Sequence, residues 1–316
     1  MGATTILLYG RTNSGKSTQI GVLAEDVYKR TGKRTRLYTA DKGGYGPVAP
    51  YVDLGIIEVV EIGDTSPWIF LNKAVKGMIR DASGKWVLDK QANSMIGFYA
   101  FESAHGIAKL LKLDMERQAA LGISVGGDTN TSFDIKGDGE TLKIGTTKGY
   151  QKFSIPQDRI WQEMLESHKL PAEYVLWTAG LSKDDDEVST NKVAGPDVIG
   201  RALTGTLSMD FNLTLRMDVM AASGTKEERH ILYLGNHQDM NSGNAVALGN
   251  IRRPLDAKKL ENLTVEPADI AKAIRLVQTD AAKEAKEVIK RRLGLKVDNV
   301  SQLSVAQSTT TVTKTA

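Results

Sequence analysis

Eight residues near the start of the chain, Gly10–Ser17, match the pattern G-x-x-x-x-G-K-[ST] without a mismatch. No other feature constrains the fold as tightly, because such a loop works only between a strand and a helix. Both flanks comply. Thr4–Tyr9 is a compact apolar run of the kind buried on both faces of a parallel sheet. After the loop, Ile20, Leu23 and Val27 recur at helical spacing until Gly32 ends the helix. Glycines let a backbone wrap phosphate oxygens, and successive amides plus the positive helix end solvate their charge. The candidate nucleotide-binding residues are therefore Gly10, Arg11, Thr12, Asn13, Ser14, Gly15, Lys16, Ser17 and Thr18. In that pattern the lysine, Lys16, reaches the β- and γ-phosphates of ATP, and the Ser17 hydroxyl ligates Mg2+.

At 316 residues, with 41% hydrophobic and 25% charged residues, the chain suits one large α/β domain with an appendage or two modest ones. There are no cysteines, which excludes disulfides, thiolate zinc sites and cysteine nucleophiles. A net charge of +3 neither identifies nor opposes a nucleic-acid binder. No apolar run is long enough to span a bilayer, so no membrane partner is expected. Met1–Gly10 lacks a basic leader and a small-residue cleavage site, and Ile6 stands where a myristoylation signal wants Ser or Thr. The expectation is a cytoplasmic protein.

Further along, strands are predicted at Arg36–Ala40, Ile56–Ile62 and Met95–Phe101, with a short one at Lys85–Leu88. Ser66-Pro67 reads as an N-cap and first helical residue, opening a helix to about Arg80, and a second helix runs from about Gly106 to Leu121. Between Gly122 and Gly149, seven glycines and many threonines indicate a loop or hairpin excursion, with Thr131–Ile135 and Thr141–Ile144 as short strands. A helix at Ile160–His168 and a strand at Tyr174–Thr178 follow, then a polar loop, Ser182–Pro196. Only a short polar turn separates Phe211–Val219 from His230–Leu234, so these strands are expected to be antiparallel. Pro267 and the helical spacing of Ile270, Ile274 and Val277 mark a C-terminal helix, ending near Lys290–Arg292 and Gly294. The expected organisation is a core over 1–255 with its excursion at 122–150, a helical segment over 256–296 and a disordered tail over 297–316. Alternating strands and helices predict a mostly parallel sheet flanked by helices, with antiparallel strands added on the C-terminal side.

Two acids stand at the carboxyl ends of predicted strands, where open α/β sheets bind ligands: Asp41 after Arg36–Ala40 and Glu102 after Met95–Phe101. Phosphoryl transfer needs a carboxylate near magnesium and one that orients the attacking water. The order is phosphate loop, then strand and Asp (Leu37–Asp41), strand and Glu-Ser (Phe98–Ser103), strand and Thr (Val175–Thr178). It resembles the RecA-core ATPases, in particular the small RecA-like ATPases encoded by bacteriophages and related to single-strand annealing recombinases. The resemblance implies a RecA-like α/β core, ATP and Mg2+ as cofactors, single-stranded DNA as a partner, and a homo-oligomer acting in recombination or replication. It also implies that Asp41 is the general base and Glu102 the magnesium-side acid, so that Lys16, Asp41 and Glu102 form the catalytic set with Ser17 and Glu102 on the metal. The family more often carries Glu first and Asp second, and the two lengths are exchanged here. Gly195–Thr204 and His230–Asp239 resemble later segments of the same family, which brings coverage to about Ile6–Asp239.

Other signals read as ordinary structure. His237 and Asp239 lack a third metal ligand, His105 suits a helix start, and Arg201 suits a surface. Tyr150 and Lys152 are too few for a stacking platform, and Lys290–Arg292 match a helix dipole as well as they would a nucleic acid. The acid run Asp184–Glu187 would repel phosphate. Two other readings stay open. A P-loop kinase would use the 122–149 excursion as a lid, although it contains no arginine, and a non-catalytic nucleotide-binding component of an assembly would tolerate the exchanged acids.

Overall fold

The computed structural model describes residues 2–41, 45–63, 65–120, 131–137, 139–147, 154–181, 196–197, 207, 210–220, 228–234, 237–238, 245–246 and 264–278. Its first half runs β1 (Thr4–Gly10), α1 (Lys16–Thr31), β2 (Arg34–Thr39), α2 (Ala49–Asp53), β3 (Ile57–Glu61), α3 (Pro67–Ala74), β4 (Ile79–Arg80), β5 (Trp86–Val87), α4 (Lys90–Ser94), β6 (Ile96–Glu102) and α5 (Ala104–Ala120). Then come β7 (Thr131–Gly137), β8 (Glu140–Thr147), α6 (Ser154–Ser167), β9 (Tyr174–Leu181), β10 (Pro196–Asp197), β11 (Leu213–Met220), β12 (Arg229–Tyr233), β13 (His237–Gln238), β14 (Ala245–Val246) and β15 (Thr264–Val265). A last helix, α7, covers 270–278.

A nine-stranded sheet carries the fold in the order β15-β12-β11-β1-β9-β6-β2-β3, with β10 paired to β9. From β11 to β3 every neighbouring pair is parallel, while β12, β15 and β10 join antiparallel. This is the mostly parallel, helix-covered architecture with antiparallel additions that the strand–helix alternation predicts. Alternation along β1 divides the interior. Ile6 and Leu8 face α1 and α7 with Ile20, Leu23, Val27, Ile270 and Ile274, whereas Leu7 and Tyr9 face α3, α5 and α6 with Trp68, Ile107, Leu111 and Ile160. On the second face Phe101 stacks on Trp177 at 4.4 Å and on Tyr38 at 5.0 Å, so three neighbouring strands are clamped at their carboxyl ends.

Several elements depart from expectation. The helix opened by Pro67 stops at Ala74 rather than near Arg80, because Gly77 closes a turn at φ 72° and Ile79–Arg80 then pairs with Trp86–Val87. Ser66 precedes that helix at φ 52° with no capping hydrogen bond from its side chain. The helix α6 starts at Ser154, six residues before the predicted Ile160. The excursion does form the predicted hairpin, β7 with β8, but it is docked rather than outlying. Ile135 is buried in the core, and the Gln118 side chain both donates to the Lys136 carbonyl (3.2 Å) and accepts from its amide (3.1 Å). Arg201, Tyr150, Lys152, Asp184–Glu187, Asp239, Lys290–Arg292 and the tail lie outside the described residues.

Candidate active site

The loop between β1 and α1 is held tightly from behind. A Cβ on Gly10 would lie 2.2 Å from the Met217 carbonyl oxygen on the parallel neighbour β11, so only glycine lets these backbones approach. Asn13 and Gly15 take positive φ (62° and 93°), turning the chain so that helical structure starts at Lys16. The side chain of Ser14 is fully buried. Lys16 arches back over the loop, donating to the carbonyls of Gly10 (3.0 Å) and Arg11 (2.7 Å). Burial lowers its pKa, and the neighbouring Glu102 carboxylate opposes that shift.

Glu102 ends β6 and is buried. The Ser17 hydroxyl donates to its Oε1, joining two residues 85 positions apart, and among the described residues its Oε2 is buried without a hydrogen-bond partner. Its pKa is raised chiefly by burial and further by Asp41, while Ser17 and Lys16 hold it down. The peptide after it is fixed in turn. Ser103 adopts φ 65°, its amide donates to Thr178 Oγ1 at 2.8 Å, and its hydroxyl accepts from the Gly106 amide at 3.0 Å, capping α5. Thr178 lies on β9, the strand between the loop strand and the Glu102 strand, so its hydroxyl sets Glu102 relative to the loop.

Asp41 lies two residues beyond β2, exposed, with its amide donating to Thr39 Oγ1 at 3.1 Å. Thr39 is the register partner of Glu102, which brings both acids to one end of the sheet. Lys16, Ser17, Glu102 and Asp41 are thus brought together. His105 is engaged elsewhere, with its Nδ1 3.2 Å from Asp197 Oδ2.

Beside the loop lies a cavity of about 670 Å3, lined among others by Gly15, Thr18, Gln19, Met217, His230 and Ala268. The phosphate-loop motif extends only to Thr18 and does not mark the rest of this wall. Its members come from α1, β11, β12 and the segment before α7, and only their convergence in space marks them. Among the described residues no group of three or more His, Cys, Asp or Glu could hold a metal by itself, and no helix is long and apolar enough to cross a membrane.

Fold and loop together define the class: an α/β core, a mostly parallel sheet flanked by helices, with a G-x-x-x-x-G-K-S loop at its first strand-to-helix turn. No family model and no curated protein matches the chain. Among solved structures it is similar to a KaiC-like protein from the hyperthermophilic archaeon Pyrococcus horikoshii OT3, at 13% identity and a TM-score of 0.39, over 78% of this chain and 89% of that one.

Proposed function

We propose that the chain binds ATP as its magnesium complex at Gly10–Ser17 and hydrolyses it. The observation that carries this reading is the contact between the Ser17 hydroxyl and the buried Glu102 carboxylate at the mouth of the loop. The residues present fit a magnesium ion. Glu102 has a buried oxygen without a partner, a second acid nearby raises its proton affinity further, and a hydroxyl already stands against it. Ser17 and Glu102 would hold the ion, with phosphate oxygens and water completing its shell. Bound there, it would neutralise charge on the β- and γ-phosphates.

The chain's own groups supply the rest. The loop amides and the N-terminus of α1 solvate phosphate oxygens. Lys16 exchanges its two loop carbonyls for phosphate, and partial desolvation makes that exchange favourable. Asp41 accepts the proton of the attacking water as general base. A role on single-stranded DNA in phage recombination or replication, as a cytoplasmic homo-oligomer, is supported by the order of motifs. The exchanged acids favour a second reading, a nucleotide-binding component without turnover. Calorimetry with Mg-ATP, followed by phosphate release with and without single-stranded DNA, tests both. Wild type should bind and turn over, and Lys16→Ala should lose binding by at least about tenfold while keeping its circular dichroism. Equal affinity and turnover in the variant would sink the P-loop assignment, and binding without turnover in wild type would select the second reading.

A further inference from the structure

We propose that His230 is a positioning residue coupling the occupant of the cavity beside the loop to the phosphate loop itself. The proposal rests on the nucleotide reading above. His230 sits on β12, half-buried, with Nδ1 2.9 Å from the carbonyl oxygen of Ser14. A carbonyl only accepts, so Nδ1 carries a proton, and in the neutral ring Nε2 is left as an acceptor. The imidazole therefore holds the peptide between Ser14 and Gly15, where the loop turns at φ 93°. A Cβ on Gly15 would stand 3.4 Å from the same nitrogen.

The backbone of His230 is tied in as well. Its carbonyl accepts from the Ala268 amide at 2.9 Å. The Ala268 carbonyl accepts from Gln19 Nε2 at 3.0 Å, and Gln19 Oε1 accepts from the Ile270 amide at 2.8 Å. These bonds close a circuit through the loop, β12, the segment before α7, and α1, around a cavity of about 670 Å3 that suits a nucleoside. With phosphates at the loop, the base of the same nucleotide lies in this cavity against the imidazole. The Nε2 acceptor matches an exocyclic amino group such as that of adenine. Contact with the base orders the ring, and the ring orders the peptide that presents the loop amides to phosphate.

Calorimetric affinities of Mg-ATP and Mg-tripolyphosphate for wild type, His230→Ala and His230→Asn separate this role from that of a passive wall. Tripolyphosphate has no base, so it reports the loop alone. His230→Ala should weaken tripolyphosphate roughly three- to tenfold, as expected for one lost hydrogen bond, and ATP by a larger factor. His230→Asn, whose amide nitrogen can replace Nδ1, should restore tripolyphosphate but not the whole ATP preference. Asparagine also preserves a test if the alanine variant fails to fold. Unchanged tripolyphosphate affinity in a folded His230→Ala protein would overturn the coupling even if ATP weakened. Wild type that binds ATP beside a variant indistinguishable from it would overturn this proposal alone. Wild type that binds neither ligand would overturn the nucleotide reading and this proposal with it.

Discussion

Replacing Glu102 by glutamine should stabilise the ligand-free protein while weakening its response to magnesium nucleotide. The carboxylate is buried, bonded to Ser17 through one oxygen, with the other oxygen buried and without a partner. A buried acceptor left unsatisfied costs about 1–3 kcal/mol, and more when it carries charge. Glutamine removes the charge but still buries an amide, and the Lys16 ammonium already offsets part of the wild-type cost. The lower end, about 1 kcal/mol, is therefore expected, or about 2–4 °C in melting temperature for a domain of this size. The sign with pH follows from the raised pKa of Glu102. Its contribution is fully present below the ordinary carboxyl value of 4.5 and is lost as pH rises through the folded value. The advantage of Glu102→Gln should be largest near neutral pH and vanish in acid, where wild type protonates.

Saturating Mg-ATP should reverse the order, because ligand at a hundredfold excess over Kd adds about 2.7 kcal/mol to a protein that binds it. Scanning fluorimetry from acid to neutral pH, with and without Mg-ATP, makes the comparison. A variant less stable than wild type at neutral pH without ligand, or one that gains as much from Mg-ATP, would refute the reasoning.

Three further outcomes are expected. Asp41→Asn should keep Mg-ATP affinity and lose turnover by about 100- to 10,000-fold in a phosphate-release assay, the range for a general base, and a wild-type rate would move the base elsewhere. Gly10→Ala should lower stability by about 1–3 kcal/mol in urea unfolding, because the new methyl meets a backbone carbonyl 2.2 Å away that cannot rotate aside. In fluorescence anisotropy with a non-hydrolysable ATP analogue, single-stranded DNA should bind with an affinity that falls steeply with salt, and no binding at low salt would remove the DNA role.

The sequence by itself determined the loop, its flanks and the class of sheet. Those signals are local. A motif eight residues long, an apolar run and a helical repeat each depend on neighbours in the chain. Glu102 and Asp41 could be nominated because strand ends are legible, yet their proximity was a matter of sheet order, since β2 and β6 pair although 56 residues of other structure separate Thr39 from Ile96. The early end of α3 follows from Gly77, which closes a turn at φ 72° before Ile79–Arg80 pairs with Trp86–Val87, so a helix start at Pro67 does not by itself fix where the helix stops. What tertiary structure alone decided is the wall of the site. Met217 fixes Gly10 through a backbone carbonyl, and Thr178 orients Ser103 through one hydroxyl. His230 reaches the loop, and Ala268 the first turn of α1 through Gln19, each from more than 200 residues away. Some of these residues stand in recognisable stretches of sequence, but none of those stretches says which of them meet. Their roles follow from which strands lie side by side, and that order is set by burying two faces of one sheet rather than by any short stretch of chain.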